Sequence, residues 1–212
     1  ALRVAAARVL GRLEDPRAVP EVAALLDGEL SPAALALALS AGRRGSTELR
    51  DSYLGRIFAD TPTDDPLRTG AILGLEDGED ARTLWRAALA AGGPAEKAAA
   101  CERLLDVGQE QEACRAELRA VATGSGDPAA SLSAAEILFE DGDPAAAAWL
   151  RSFAAGGDVA VRRRIMTGAA ARRYDADLIA VGLADPEPSV SAAAAVAALR
   201  VPDPLARPGS AP

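Results

Sequence analysis

The stretch LRVAAARVLGRLEDPRAVP, residues 2–20, decides the fold. Its first half is rich in alanine, the best helix former, with larger apolar residues spaced along it. Gly11 weakens the helix near its end. Asp15 then supplies an oxygen for the free N–H groups of a new helix, and Pro16 has its φ already set for the first helical position. One helix stops and a second begins within five residues.

That punctuation recurs. It reads Leu75-Glu76-Asp77-Gly78-Glu79-Asp80, then Glu140-Asp141-Gly142-Asp143-Pro144, then Tyr174-Asp175, then Pro202-Asp203-Pro204. Taking Asp15, Ser46, Asp80, Gln109, Asp143, Asp175 and Asp203 as equivalent gives steps of 31, 34, 29, 34, 32 and 28 residues. A second set of marks lies between them: Asp27-Gly28 with Ser31-Pro32, Asp64-Asp65-Pro66, Gly92-Gly93-Pro94, Gly126-Asp127-Pro128, Gly156-Gly157-Asp158 and Asp185-Pro186. Together they predict about thirteen helices, over 1–12, 15–27, 31–42, 46–59, 65–75, 79–91, 94–107, 109–122, 127–140, 143–155, 158–173, 175–184 and 188–200. A helix of this length buries its apolar face only against neighbours. A repeated pair therefore implies an all-α, right-handed α-solenoid of about six helical hairpins. The units are approximately 1–27, 31–59, 64–91, 94–122, 127–155, 158–184 and 188–204, with 205–212 as a tail. A compact all-α bundle is the other arrangement these helices allow.

The unit at residues 2–20 resembles the HEAT-like repeat of the phycobilisome-lyase type, an armadillo-like superhelix. The features carrying the resemblance are an alanine-rich helix ending Leu10-Gly11, then Asp15-Pro16 and Ala18-Val19-Pro20. Residues 158–184 share it through Val161-Arg162 and Asp175. Residues 185–204 share it through Asp185-Pro186, Ser189-Val190 and Asp203-Pro204. Residues 31–125 keep mainly the period. The resemblance implies a protein-interaction scaffold or regulatory binding module, with the first helices of the pairs lining a concave face. The alternatives it implies are a lyase-type enzyme or chaperone subunit acting on a protein-bound chromophore, and a DNA-glycosylase-like protein. The di-iron hydroxylases of similar architecture are excluded, because their His-Glu motifs are missing.

Composition narrows the function. The 212 residues are 50% apolar and only 3% aromatic, with a net charge of −8 and no histidine. A general nucleic-acid binder needs a basic footprint, so neither nucleic acid nor a DNA-glycosylase-like activity is favoured. Without histidine the chain lacks the commonest metal ligand and the commonest neutral-pH base, and no metal or cofactor is expected. No phosphate loop, nucleophile elbow or zinc-protease motif is present, and no catalytic residue is assigned. No run of apolar residues is long enough to cross a membrane, which points to the cytoplasm.

Charge is uneven. Residues 61–145 hold 7 basic and 17 acidic side chains, whereas 146–212 hold 8 and 6. An acidic middle favours a protein or peptide partner with a basic segment. Arg68, Arg103 and Glu136 interrupt apolar first helices, and Arg162 and Arg163 belong to a basic cluster; these five are the expected partner-binding residues. Trp85 and Trp149 are expected to plug space left by alanine. Cys101 and Cys114 fall almost symmetrically about Gly108, where they either face each other or serve as small core thiols. The first helix without a cap, and a last one broken at Pro208, suggest a piece of a larger multidomain chain.

Overall fold

The computed structural model describes residues 23, 24, 26, 27, 30–43 and 45–199. The stretch 2–20, the marks at Asp15 and Asp203 and the tail 205–212 lie outside them. The described residues form eleven helices and one single helical turn, with no strand. They are α1 (Pro32–Arg43), α2 (Thr47–Asp60), α3 (Pro66–Gly74), α4 (Glu79–Ala91), α5 (Pro94–Asp106), α6 (Gln111–Gly124), α7 (Pro128–Asp141), α8 (Ala146–Gly156), α9 (Val159–Thr167), the turn α10 (Ala169–Arg172), α11 (Ala176–Leu183) and α12 (Pro188–Leu199).

The helix starts follow the chemistry of the marks. Asp65 accepts from Leu67 N, Asp127 from Ala129 N, Asp158 from Val161 N and Asp175 from Leu178 N, all at 2.7–2.9 Å. Asp143 and Asp185 accept from Ala145 N and Glu187 N in the turns that precede α8 and α12. The stop before Asp143 also has a local cause. Gly142 is left-handed at φ 96°, and the N–H groups of Gly142 and Asp143 donate to Phe139 O and Leu138 O, closing α7.

Two marks and one helix behave differently. Ser46 makes no side-chain bond to α2. Asp80 is not a cap: Gly78 precedes α4, and Asp80 sits inside its first turn beside Glu79, where a carboxylate complements the helix dipole. The helix expected over 158–173 is broken at Gly168. There Thr167 Oγ1 donates back to Arg163 O and Arg164 O, and the backbone turns before the short α10.

The chain divides into two compact units between Cys114 and Arg115, within α6. In the first, α1 packs on α2 and α3, and α5 packs on α3 and α4. Its core is Ala38, Ile57, Ala71, Ile72, Trp85, Ala100 and Leu104, all fully buried. In the second, α7 packs on α8, α8 on α9 and α11, and α12 on α9 and α11. Leu118, Leu138, Leu150, Ile165, Leu178 and Val190 fill its core. Alanine and glycine between these larger residues let helices approach closely. A Cβ on Gly74 would strike Leu39, and one on Gly182 would meet both Met166 and Ala194. Packing within each unit thus joins consecutive helices and also alternate ones.

One polar contact repeats in register. Arg86 donates to Gln109 Oε1 at 2.7 Å, Arg119 Nε to Asp143 Oδ2 at 2.7 Å, and Arg151 lies 3.6 Å from Asp175. Arg86 lies on α4, Arg119 on α6 and Arg151 on α8, and the partners stand just before α6, α8 and α11. The arginines are 33 and 32 residues apart, matching the spacing of the helix marks.

Candidate functional site

Four of the five expected partner-binding residues are held by groups of their own unit. Arg68, on α3, lies with Nε 2.6 Å from Glu96 Oε1, donates to Phe58 O and Thr61 O, and stacks 4.9 Å over the Phe58 ring. Arg103, on α5, donates to Leu75 O at 3.2 Å and Asp106 at 2.9 Å, with its guanidinium 5.2 Å over the Trp85 ring. Glu136, on α7, receives Arg164 at 2.5 Å. Arg162 grips Asp185 with two nitrogens and Gly157 O with a third. Arg163 is exposed, with no ion pair among the described residues. Interruption of an apolar helix by a charge therefore marks a half-buried position here, but the counter-charge is internal.

Glu96 was not singled out from the sequence, yet it is the most deeply placed carboxylate described, with a fully buried side chain. It occupies the third position of α5, whose start has only Gly93 at the cap. Asp64 supplies the missing cap from 31 residues back along the chain. Its Oδ1 accepts from Ala95 N at 2.9 Å and Glu96 N at 3.1 Å, while Asp64 N donates to Glu96 Oε1 at 2.9 Å. These are the reciprocal bonds of a capping box, made between the segment before α3 and the start of α5 instead of along one helix. Asp64 is left-handed, φ 67°, a costly geometry for a non-glycine residue that this double bonding sustains. Gly93 has to be glycine, since a Cβ there would enter the Asp64 carboxylate.

The first unit carries an open cleft of about 430 Å³ between α2, the Leu75–Gly78 turn and the start of α4. Leu54, Phe58, Leu75 and Leu84 supply its apolar lining, and Asp51, Glu76, Asp77, Glu79 and Asp80 supply five carboxylates against Arg50. Arg50 is 2.8 Å from Asp51, and Arg82 holds Asp77 through two bonds of 2.6 Å, chiefly setting the Asp77 carboxyl below its ordinary range. Arg43 approaches Glu76 only to 3.9 Å. Glu79 and Asp80 are exposed at the N-terminal end of α4 and have no ion pair among the described residues. The cleft is thus negative with an apolar floor, and two of its carboxylates are uncommitted. It lies between α2 and α4, whereas the charged residues expected to bind lie on α3, α5, α7 and α9.

The second unit has a cleft of about 630 Å³ lined by Pro128, Leu132, Phe153, Val161 and Arg164 among others. It is mainly apolar, and Arg164 at its edge is committed to Glu136 and Ser133. Of the two tryptophans, Trp85 is the expected plug, fully buried with Nε1 donating to Ile72 O at 3.1 Å, while Trp149 is only half-buried. Among the described residues no group of three or more His, Cys, Asp or Glu could hold a metal ion, and no helix is long and apolar enough to cross a membrane. Comparison with protein-family models, with curated proteins and with solved structures finds no match to this chain.

Proposed function

We propose that this chain is a protein-interaction module, built of HEAT-like hairpins in a right-handed α-solenoid, that binds a basic amphipathic segment of a partner protein. The repeat reading is supported by the arginine contacts at 86, 119 and 151, which recur at the spacing of the helix marks. The binding reading rests on the cleft between α2 and α4. Its lining pairs leucine and phenylalanine side chains with carboxylates that outnumber arginines five to one. A lysine or arginine side chain suits such a site, laying its methylenes on the apolar floor with its charge among the carboxylates.

The test is fluorescence anisotropy of a labelled peptide that alternates leucine with lysine, titrated with the whole chain at near-physiological salt. Binding is expected, together with roughly tenfold or greater weakening in the double variant Glu79→Lys, Asp80→Lys. The same peptide with glutamate in place of lysine should not bind. Equal binding of both peptides, or no effect of the charge reversal, would refute the assignment.

A further inference from the structure

Asp77 lines the acidic cleft and is gripped by Arg82, which reaches back to it from the start of α4. Arg82 Nε and Nη2 donate to different oxygens of the carboxylate, both at 2.6 Å. Asp77 thus presents both oxygens to one guanidinium plane, the strongest form of this contact. Both side chains are nevertheless solvated, at 31% and 40% exposure, so the pair is screened and cheap to exchange. In this it differs from Arg68 with Glu96 and Arg162 with Asp185, whose carboxylates are buried. Arg103, whose charge also reaches Asp77, is tied elsewhere, to Leu75 O, Asp106 and the Trp85 ring. The cleft also has room. Gly78 and Gly55 both line it, and a Cβ added at either would meet nothing within 4 Å.

Resting on the reading of this cleft as a site for a basic amphipathic segment, we propose that Asp77 is the seat for an arginine of that segment, and that Arg82 is the resident guanidinium it displaces. Exchange of one guanidinium for another keeps two hydrogen bonds on Asp77 and returns Arg82 to water. A lysine ammonium is a point charge, and it cannot match two bonds held in one plane. Lysine therefore gains nothing by displacing Arg82. It is held through Glu79 and Asp80, which carry no such competitor among the described residues. The cleft accepts basic segments in general and selects those with arginine, and Arg82 sets that threshold.

The experiment measures fluorescence anisotropy of two labelled peptides, one alternating leucine with arginine and one alternating leucine with lysine. Each is titrated with the whole chain at near-physiological salt. The arginine peptide should bind roughly five- to tenfold more tightly. In Asp77→Asn that preference should shrink to about twofold or less. In Arg82→Gln the lysine peptide should bind roughly threefold more tightly or better, because Asp77 is then open to a single cation. Arg86→Gln is the control for net charge. It removes one cation from the same helix at a residue that donates to Gln109, and should change binding by less than about twofold.

Equal binding of the two peptides, an arginine preference that survives Asp77→Asn, or equal gains from Arg82→Gln and Arg86→Gln would overturn the Asp77 seat. The cleft would still stand as a site for basic segments. Failure of both peptides to bind the unsubstituted chain and all three variants would overturn the cleft and the seat together. The first comparison is read on the unsubstituted chain, and the substituted residues are exposed, so none of these outcomes depends on repacking a core.

Discussion

Each unit buries one arginine–glutamate pair whose members are 28 residues apart, Arg68 with Glu96 in the first and Glu136 with Arg164 in the second. The depth differs. The Glu96 and Arg68 side chains are 0% and 18% exposed, whereas those of Glu136 and Arg164 are 9% and 47% exposed. Glu96 also accepts the backbone N–H of Asp64, and Asp64 in turn caps the helix that carries Glu96. Among the described residues Glu136 accepts from Arg164 and from no backbone group. In the first unit the pair is one corner of a closed network that also holds a strained residue. In the second it is a contact at the rim of a cleft. Equal spacing does not give equal energy, because removing one partner of an enclosed pair leaves a charge with nowhere to go.

The largest expected effect breaks the deeper pair. Glu96→Ala leaves the Arg68 charge half-buried and removes the acceptor for Asp64 N, for a loss of about 3–5 kcal/mol in urea unfolding. Replacing both partners, Arg68→Met with Glu96→Leu, should recover part of that loss, since no buried charge then remains. If Glu96→Ala unfolds at nearly the same urea concentration as the unsubstituted chain, the network does not hold the first unit together.

A smaller effect separates the units through glycine. Gly93→Ala should cost about 1–3 kcal/mol, because the new methyl displaces the Asp64 carboxylate from the two amides it caps. Gly156→Ala, at the end of α8, meets nothing within 4 Å and should be neutral or stabilise by up to about 1 kcal/mol. Equal costs at the two positions would mean that the long-range cap contributes nothing.

These contrasts also show what the sequence could yield. Helix positions were legible because Asp, Gly and Pro act on the backbone next to them: α4 starts and ends at the expected residues, Glu79 and Ala91. The break at Gly168 was hidden inside a continuous alanine- and arginine-rich run, where a threonine side chain and one glycine decide the outcome. Arg68, Arg103 and Glu136 were found by a sound signal, charge on an apolar face, but that signal is silent about the partner. Partners lie 28 residues away along the chain, and Glu96 reads locally as an ordinary first-turn carboxylate. The cleft was invisible for the same reason: Leu54 and Phe58 on α2 meet Glu79 and Asp80 only through packing. The acidic middle of the chain was legible as a total, and the structure locates part of it.

The next effect tests the repeated arginine contact. Asp143 accepts from Ala145 N in the turn before α8 and receives Arg119, while Asp175 caps α11 and lies farther from Arg151. Loss of the Asp175 cap costs about 1 kcal/mol, and loss of the Asp143 bond to Ala145 N about as much, so Asp143→Ala and Asp175→Ala should each lose at least that. A double-mutant cycle then isolates the ion pairs. Coupling of roughly 0.5–1 kcal/mol is expected for Arg119 with Asp143, and close to zero for Arg151 with Asp175. The reverse order would show that distance is a poor guide to these contacts.

The smallest effect at neutral pH belongs to Glu136, where the sign of the pH dependence carries the information. Burial chiefly raises its carboxyl above the ordinary range, while Arg164 and Arg172 oppose that rise without cancelling it. The folded chain therefore keeps the Glu136 proton to higher pH than the unfolded chain does. Stability from this residue is fully present below the ordinary glutamate range and is lost as pH rises through the raised value. Asp185 is the opposite case. Arg162 and the Glu187 N–H hold it below the ordinary 3.8, so its contribution is present above that pH and is lost as pH falls through the lowered value. Glu136→Gln should leave neutral-pH stability within about 1 kcal/mol of the unsubstituted chain, since an amide still accepts from Arg164. It should flatten the decline in urea midpoint as pH rises above the ordinary carboxylate range. Asp185→Asn should leave that decline intact and remove a loss at the acid end. If Glu136→Gln instead removes a loss at the acid end, Glu136 is held ionised like Asp185. The shallow pair would then be stabilised as firmly as the deep one.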